Sequence, residues 1–557
     1  MTRDYDQVTA FLGEWGRFQV MVFSLLCAST VPNGFSAFSV VFLGDTPPHR
    51  CLIPDSVNLS AEWRNACIPV EQVDGQVRRS SCRRYRLDVV RNLSAVHQRP
   101  GVDVNVQEIE QEDCLDGWEY SQEKYQSTIV TEFDLVCSNQ WKEPLTSTVY
   151  FLGVLFGSFI SGQLSDRFGR KPILFVTMAV QTVFTFIQVF SPSWEVFCII
   201  FFIVGLGQIS NYVAAFVLGT EILIKNVRVL YSSLGVCIFF AFGYMMLPLI
   251  AFFIRDWRML LIALSVPGLL YIPLWWFIPE SPRWLLSQGR VQEAEAILRK
   301  AARMNKVTPP DVIFTLTEGE EKKTNKEDNH NVLDLLRTSN IRYITIILFL
   351  VWGTVSMGYF ALSLNTSHLH GNPYLNCFIS AAIEIPAYTV TWAFLQFLPR
   401  RVCAPVSMIL GGGVLFFIQL VPPSLPIVSI ALEMAGKFGM AIATALMFAY
   451  TGELYPTVLR NTAVGSCTMV SRVGSAIAPY FIHLSIFYKY LPYIVLGALT
   501  VSAALLSLLL PESFGLPMPE SIGQMQNIKC LKLRNTSNKT SGHEEISTPV
   551  VLKEEAL

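Results

Sequence analysis

The sequence predicts an all-α polytopic membrane protein: twelve transmembrane helices in two six-helix repeats, with a disulfide-bearing ectodomain after the first helix. Three observations predict it. Of 557 residues, 52% are hydrophobic and only 15% charged, where a soluble chain carries about 25% charged residues. The apolar residues gather into windows near the ~20 residues a bilayer core needs. Two motif pairs also recur at one offset. Glu221 and Arg228 match Glu453 and Arg460, and Pro279-Glu280-Ser281 matches Pro511-Glu512-Ser513, each 232 residues apart (453 − 221; 511 − 279).

Residues 1–17 are polar and carry Arg3 and Arg17, unlike a secretory signal, and are expected to be cytoplasmic. The first span covers 18–43. Residues 44–141 hold five of the twelve cysteines, Cys51, Cys67, Cys82, Cys114 and Cys137, with sequons at Asn58 and Asn92. This combination predicts an extracellular, glycosylated, disulfide-stapled domain. The odd count leaves one thiol over, and the pairing stays open. Zinc is the rival reading, but no CxxC pair is present.

Spans two to six fill 142–279. The segment 280–342 reads as a cytoplasmic central loop, with an amphipathic helix over 282–304 and a charged, disordered stretch over 318–331. Spans seven to twelve fill 343–510. Residues 511–557 form a polar cytoplasmic tail, whose terminal Glu555-Ala556-Leu557 is a weak candidate for a PDZ partner. An even number of spans puts both termini on one side. Lys225, Arg228, Arg400, Arg401 and Arg460 fall in loops on that side, as basic residues of short cytoplasmic loops do.

Between spans two and three lies Gly162-x-x-x-Asp166-Arg167-x-Gly169-Arg170-Lys171. It reads as a conformational latch in which Asp166, at a helix end, pairs with a base in one state and lets go in another. The corresponding loop of the second half, Pro399-Arg400-Arg401, keeps the charge and loses the glycines. The first copy is therefore expected to be the stronger of the two.

A charge within a span is costly and marks a pathway by default. Arg472, among the small residues of span eleven, can hold a carboxylate bidentately. Glu384, in span eight, would neutralise an ammonium or pair with Arg472. Tyr359, Phe360 and Tyr212 offer aromatic faces to a methylated ammonium. Asn33, Gln181, Gln208 and Asn211 are amides in apolar spans. They would either bond helices together or present neutral oxygens to a hard cation such as sodium. Glu433 and Lys437, one helical turn apart, read as a structural pair. Gly219-Thr220-Glu221-Ile222-Leu223-Ile224-Lys225-Asn226 imitates a phosphate-binding loop, but it lacks the second glycine and any preceding strand. No ATP, no enzymatic chemistry and no nucleic-acid partner are expected, since the basic residues form no aromatic-interleaved face.

The span two–three turn resembles the signature loop of the major facilitator superfamily, whose halves are parallel repeats with the substrate site between them. The long cysteine-bearing loop, Pro279-Glu280-Ser281-Pro282-Arg283-Trp284-Leu285 and Glu453-Leu454-Tyr455-Pro456-Thr457 are similar to solute carrier family 22. Phe11-Leu12-Gly13-Glu14-Trp15-Gly16, the run from Gln208 to Phe216 and Arg255-Asp256-Trp257-Arg258 resemble its organic cation/carnitine subgroup. That resemblance implies a plasma-membrane secondary transporter importing zwitterionic quaternary ammonium compounds, carnitine or ergothioneine, with sodium as co-substrate and no cofactor. It implies that Asn33, Gln181 and Gln208 bind sodium and that Glu453 bears on coupling, while Arg472, Glu384, Tyr359, Phe360, Asn211 and Tyr212 are the substrate-binding set expected from the residues themselves. Locally, Glu453 is expected to pair with an arginine of its own loop. Asp166, Arg167, Arg170, Glu221, Arg228, Glu453 and Arg460 make up the conformational set. The rival readings are a polyspecific organic cation carrier, by uniport or proton antiport, and a non-transporting receptor or scaffold.

Overall fold

The computed structural model describes residues 2–73, 75–314 and 332–516. The charged stretch 318–331 and the C-terminal tripeptide lie outside them. Twelve long helices occupy the expected spans. In the first half they are Arg17–Leu43, Lys142–Phe168, Arg170–Gln188, Trp194–Ile222, Asn226–Phe253 and Trp257–Trp276. In the second half they are Ser339–Leu364, Pro373–Phe397, Arg400–Phe416, Pro426–Leu454, Thr457–His483 and Leu491–Ser507. Ten of the spans are long and apolar enough to cross a membrane by length and composition. The other two differ for visible reasons. Thr457–His483 carries Arg460 and Arg472, and Leu491–Ser507 is apolar but 17 residues long.

Span one is interrupted at Ser29 and Ser39, whose hydroxyls donate back to the carbonyls of Leu26 (2.6 Å) and Ser36 (3.1 Å). Pro32, between them, removes a further backbone donor. The break places Asn33 and Ser36 against the neighbouring helices. Gly34 makes this approach possible, because a side chain there would meet the Phe240 carbonyl of span five at 2.4 Å.

The two halves touch mainly where span two meets span eleven and span five meets span eight. Toward the ectodomain they share one core, in which Phe35, Phe38 and Tyr244 pack with Tyr359, Tyr374 and Met440. Toward the opposite end each half has a core of its own, one around Leu26, Met178 and Leu218, the other around Val351, Met447 and Leu459. The bundle is thus closed beneath the ectodomain and divided at the other end.

The ectodomain is built from three two-stranded ladders, His49–Cys51 with Trp118–Tyr120, Val70–Val73 with Gln76–Arg79, and Arg83–Tyr85 with Gln111–Asp113. Disulfides join Cys51 to Cys114 and Cys82 to Cys137. Cys67 is the thiol left over, buried with Trp63, Tyr85 and Val90. His49 lies beside Cys82 and Cys137, but their sulfurs are bonded to each other and offer a metal no thiolate. The domain is pinned to the bundle by Trp257, whose indole donates to Glu132 at 2.7 Å, and by Arg258, which pairs with the same carboxylate.

On the opposite side the expected helix over 282–304 is two helices, Pro282–Ser287 and Val291–Asn305. Gly289 separates them with φ at +74°, the left-handed geometry that ends a helix. The N-terminal segment docks on this surface. Asp6 pairs with Arg228 at 2.9 Å and also with Arg283, and Asn305 accepts from the Phe18 amide at 2.9 Å.

Candidate functional site

Four ionisable side chains lie within spans of the second half, Glu384, Glu433 and Lys437 buried and Arg472 half-buried, and the structure pairs them differently from the sequence reading. Lys437 Nζ lies 3.2 Å from Glu384 Oε1. Neither of the expected pairs, Glu384 with Arg472 or Glu433 with Lys437, is formed. Lys437 turns from span ten toward span eight, and Tyr359 and Tyr388 donate to the same carboxylate. Glu433 is held by neutral donors instead, Asn365 Nδ2 at 3.0 Å and the Tyr493 hydroxyl at 2.7 Å. The sequence contains the signal in part: two acids and two bases in spans allow several pairings, and helical spacing reports only those within one helix.

Arg472 is the charge left facing open space. With Tyr150, Gln208, Tyr212, Tyr359 and Phe360 it lines a cavity of about 170 Å³ between the two halves. Among the described residues no carboxylate lies within ion-pairing distance of its guanidinium. Glu384 is fully buried one side chain behind the cavity wall, which Tyr359 and Tyr388 form there. Asn211 does not reach the cavity. It is buried and joins helices, accepting from Asn33 at 3.1 Å and donating to the Leu174 carbonyl at 2.9 Å.

An aromatic layer covers the site on the ectodomain side. Phe38 stacks on Tyr244 with centroids 4.0 Å apart and on Phe360 at 5.9 Å, and Phe151 meets Phe360 edge-on at 4.9 Å. Phe38, Tyr244 and Phe151 belong to the first half and Phe360 to the second, so this layer is a seam between the repeats. A larger cavity, about 240 Å³, lies beyond it at the ectodomain end, lined by Asp45, Glu143 and His368. The mid-bundle cavity is the better candidate because it is the one that Arg472 faces.

The neutral oxygens behave unevenly. Gln181 Nε2 donates to Ser36 Oγ at 2.8 Å, and Asn33 Nδ2 donates to Asn211. Among the described residues, their carbonyl oxygens, Asn33 Oδ1 and Gln181 Oε1, are buried without a hydrogen-bond partner. Orphaned buried acceptors are costly, and oxygen donors of this kind suit a hard cation. Gln208 is buried and also lines the cavity.

At the end away from the ectodomain, Arg170 binds Glu221 at 3.0 Å and Asp166 at 2.8 Å. Glu280 accepts from the backbone amides of Arg170 and Lys171, both at 3.2 Å, and so caps the span-three helix. The sequence offered Pro279-Glu280-Ser281 as a repeat and family marker; its carboxylate is this cap. Gly169 permits the approach with φ at +100°, since a side chain there would strike Glu280 at 2.5 Å. Arg167 does not join the pair but lies over the Phe168 ring at 5.4 Å. Glu221 and Arg228, paired only in sequence register, have separate partners: Arg228 binds Asp6. Glu453 takes not an arginine of its own loop but Arg400, at 3.1 Å. Arg460 lies in the first turn of the span-eleven helix, its amide donating to the Pro456 carbonyl.

Two six-helix halves closed over a mid-bundle cavity, with the half-buried Arg472 guanidinium facing it, define a multi-pass membrane transporter and not an enzyme. The chain belongs to the sugar (and other) transporter family of the major facilitator superfamily, whose description matches residues 92–521, and within it to solute carrier family 22. It is 56% identical over 559 residues to organic cation/carnitine transporter 2 of Homo sapiens, covering 100% of both chains. It is 56% identical over 550 residues to solute carrier family 22 member 4 of Mus musculus, covering 99% of each. Among solved structures it is similar to the inward-open xylose transporter XylE from E. coli, with a TM-score of 0.57, 14% identity, and 89% of this chain and 97% of that one covered. At that identity the likeness shows the fold alone.

Proposed function

We propose that this protein imports carboxylated quaternary ammonium compounds, the class that contains carnitine and ergothioneine, across the plasma membrane with both of its termini in the cytoplasm. One observation carries the reading: Arg472 faces the cavity between the halves beside aromatic rings and, among the described residues, without a carboxylate partner. A zwitterion supplies what each part lacks, a carboxylate for the guanidinium and an alkylated ammonium for the ring faces. The full-length likeness to organic cation/carnitine transporter 2 supports the same class. A polyspecific carrier of simple cations would have little use for a guanidinium facing its cavity. A receptor or scaffold would have no use for the cavity.

Sodium is proposed as co-substrate, held by Asn33, Gln181 and Gln208. The unpartnered oxygens Asn33 Oδ1 and Gln181 Oε1 support it. The test is uptake of labelled carnitine and ergothioneine into cells, with sodium present and with sodium replaced. Uptake of at least one, lost on sodium replacement, is expected. Uptake that ignores sodium removes the coupling, and uptake of neither removes the substrate class.

A further inference from the structure

The position assigned above to a substrate's ammonium is already filled by an ammonium of the protein. Lys437 Nζ stands 3.2 Å from Glu384 and 4.0 Å from the centre of the Tyr359 ring. It is 5.3 Å from the centre of Tyr244 and 5.7 Å from that of Phe38, and it also donates to Ser363 Oγ. A carboxylate surrounded by aromatic faces is the chemistry that recognises an alkylated ammonium.

The grip spans both repeats. Glu384, Tyr359 and Ser363 belong to the second half, while Phe38 and Tyr244 belong to the first. The lysine therefore sits in the aromatic seam that closes the bundle beneath the ectodomain. It is 1% exposed and its carboxylate partner 0%. The carboxylate is nonetheless within reach of the cavity, because its donors Tyr359 and Tyr388 line that cavity.

We propose that Lys437 and the substrate's ammonium alternate on Glu384. Bound substrate takes the carboxylate and displaces the lysine. When substrate leaves, the lysine returns, and Glu384 stays neutralised while the unloaded transporter reorients. A buried carboxylate stripped of its partner is costly, and the transporter would have to carry that cost through the return step. Lys437 is thus a positioning residue for the return of the unloaded protein, not for the loaded crossing. The inference rests on the ammonium-bearing substrate class proposed above.

The two half-cycles can be measured separately. Exchange of labelled tetraethylammonium or carnitine against unlabelled substrate needs only the loaded crossing, whereas net uptake into substrate-free cells or vesicles needs the unloaded return. For Lys437→Met, exchange is expected within about twofold of wild type per surface transporter, while net uptake falls by at least about tenfold. Equal loss of both, or no loss of either, overturns the proposal. Should Lys437→Met fail to reach the surface, Lys437→Gln, which keeps a polar group but no charge, is measured in its place. The same fall in net uptake relative to exchange is expected, and equal loss of both, or no loss of either, overturns the proposal. Failure of the substrate class would show earlier, as absence of exchange by the wild-type protein.

Discussion

Arg400 and Glu453 meet at 3.1 Å at the end away from the ectodomain, as Arg170 and Glu221 meet at 3.0 Å in the other half. The likeness extends to the caps. Glu512 accepts from the amides of Arg400 and Arg401 at 3.0 and 3.1 Å, as Glu280 does from Arg170 and Lys171. The second copy of the turn has lost its glycine and its Asp166 counterpart yet keeps the ion pair and the cap. The second copy thus keeps more of the first than its sequence suggests, and the first adds the Arg170–Asp166 pair.

Neutralising either carboxylate should therefore slow transport to a similar degree. Arg170 and Arg400 are 11% and 10% exposed and their partners about 20%, which suits a contribution of ~1–2 kcal/mol and hence a rate change of roughly tenfold. Asp166 is 73% exposed, so Asp166→Asn should cost less, under ~1 kcal/mol. Initial uptake rates per surface transporter for Glu221→Gln, Glu453→Gln and Asp166→Asn check the ranking.

Arg472→Ala should separate substrates by their carboxylate. Loss of a bidentate charged contact is worth ~1.5–3 kcal/mol, about 10- to 150-fold in zwitterion uptake. Tetraethylammonium uptake should stay within about threefold on the same premise, because it offers no carboxylate to lose. Parallel loss of both would make Arg472 a structural residue.

The ectodomain should label asymmetrically. Burial raises the Cys67 thiol from 9.0 to about 11, so it is inert in the folded protein. In unfolded, unreduced protein the Cys67 peptide alone of the five should take an alkylating label, with Cys51, Cys82, Cys114 and Cys137 labelling after reduction. Mass spectrometry of the peptides decides it.

His49 should make the ectodomain acid-sensitive. Burial lowers its imidazole below the usual 6.5, outweighing the Pro47 carbonyl at 3.1 Å. The folded state then binds fewer protons than the unfolded one, so this stabilisation is present above pH 6.5 and is lost as pH falls through the folded value. Thermal unfolding of the membrane-embedded protein between pH 7.5 and 5 should show it, and His49→Phe should flatten the dependence.

Glycans should sit at Asn58 and Asn92, which are exposed, and not at Asn365, which heads the sequon Asn365-Thr366-Ser367 but whose amide is committed to Glu433 and Tyr493. The Asn58→Gln/Asn92→Gln double variant should run at the mobility of glycosidase-treated protein.

The sequence by itself determined what local chemistry determines. Twenty-residue apolar windows mark spans whatever their neighbours, a repeated offset marks two halves, and clustered cysteines with sequons mark an ectodomain. The contact between Gly34 and Phe240, the choice of Cys67 as the free thiol and the cap made by Glu280 needed the tertiary structure, because each joins segments distant in the chain. The charges in the spans show this most plainly. Arg472, Glu384, Lys437 and Glu433 were all visible as intramembrane ionisable groups. Helical spacing put Lys437 with Glu433, while the rotation of span ten against span eight put it on Glu384. A buried charge must find a partner. Which partner it finds depends on how helices turn toward one another, and that information is spread over the whole bundle.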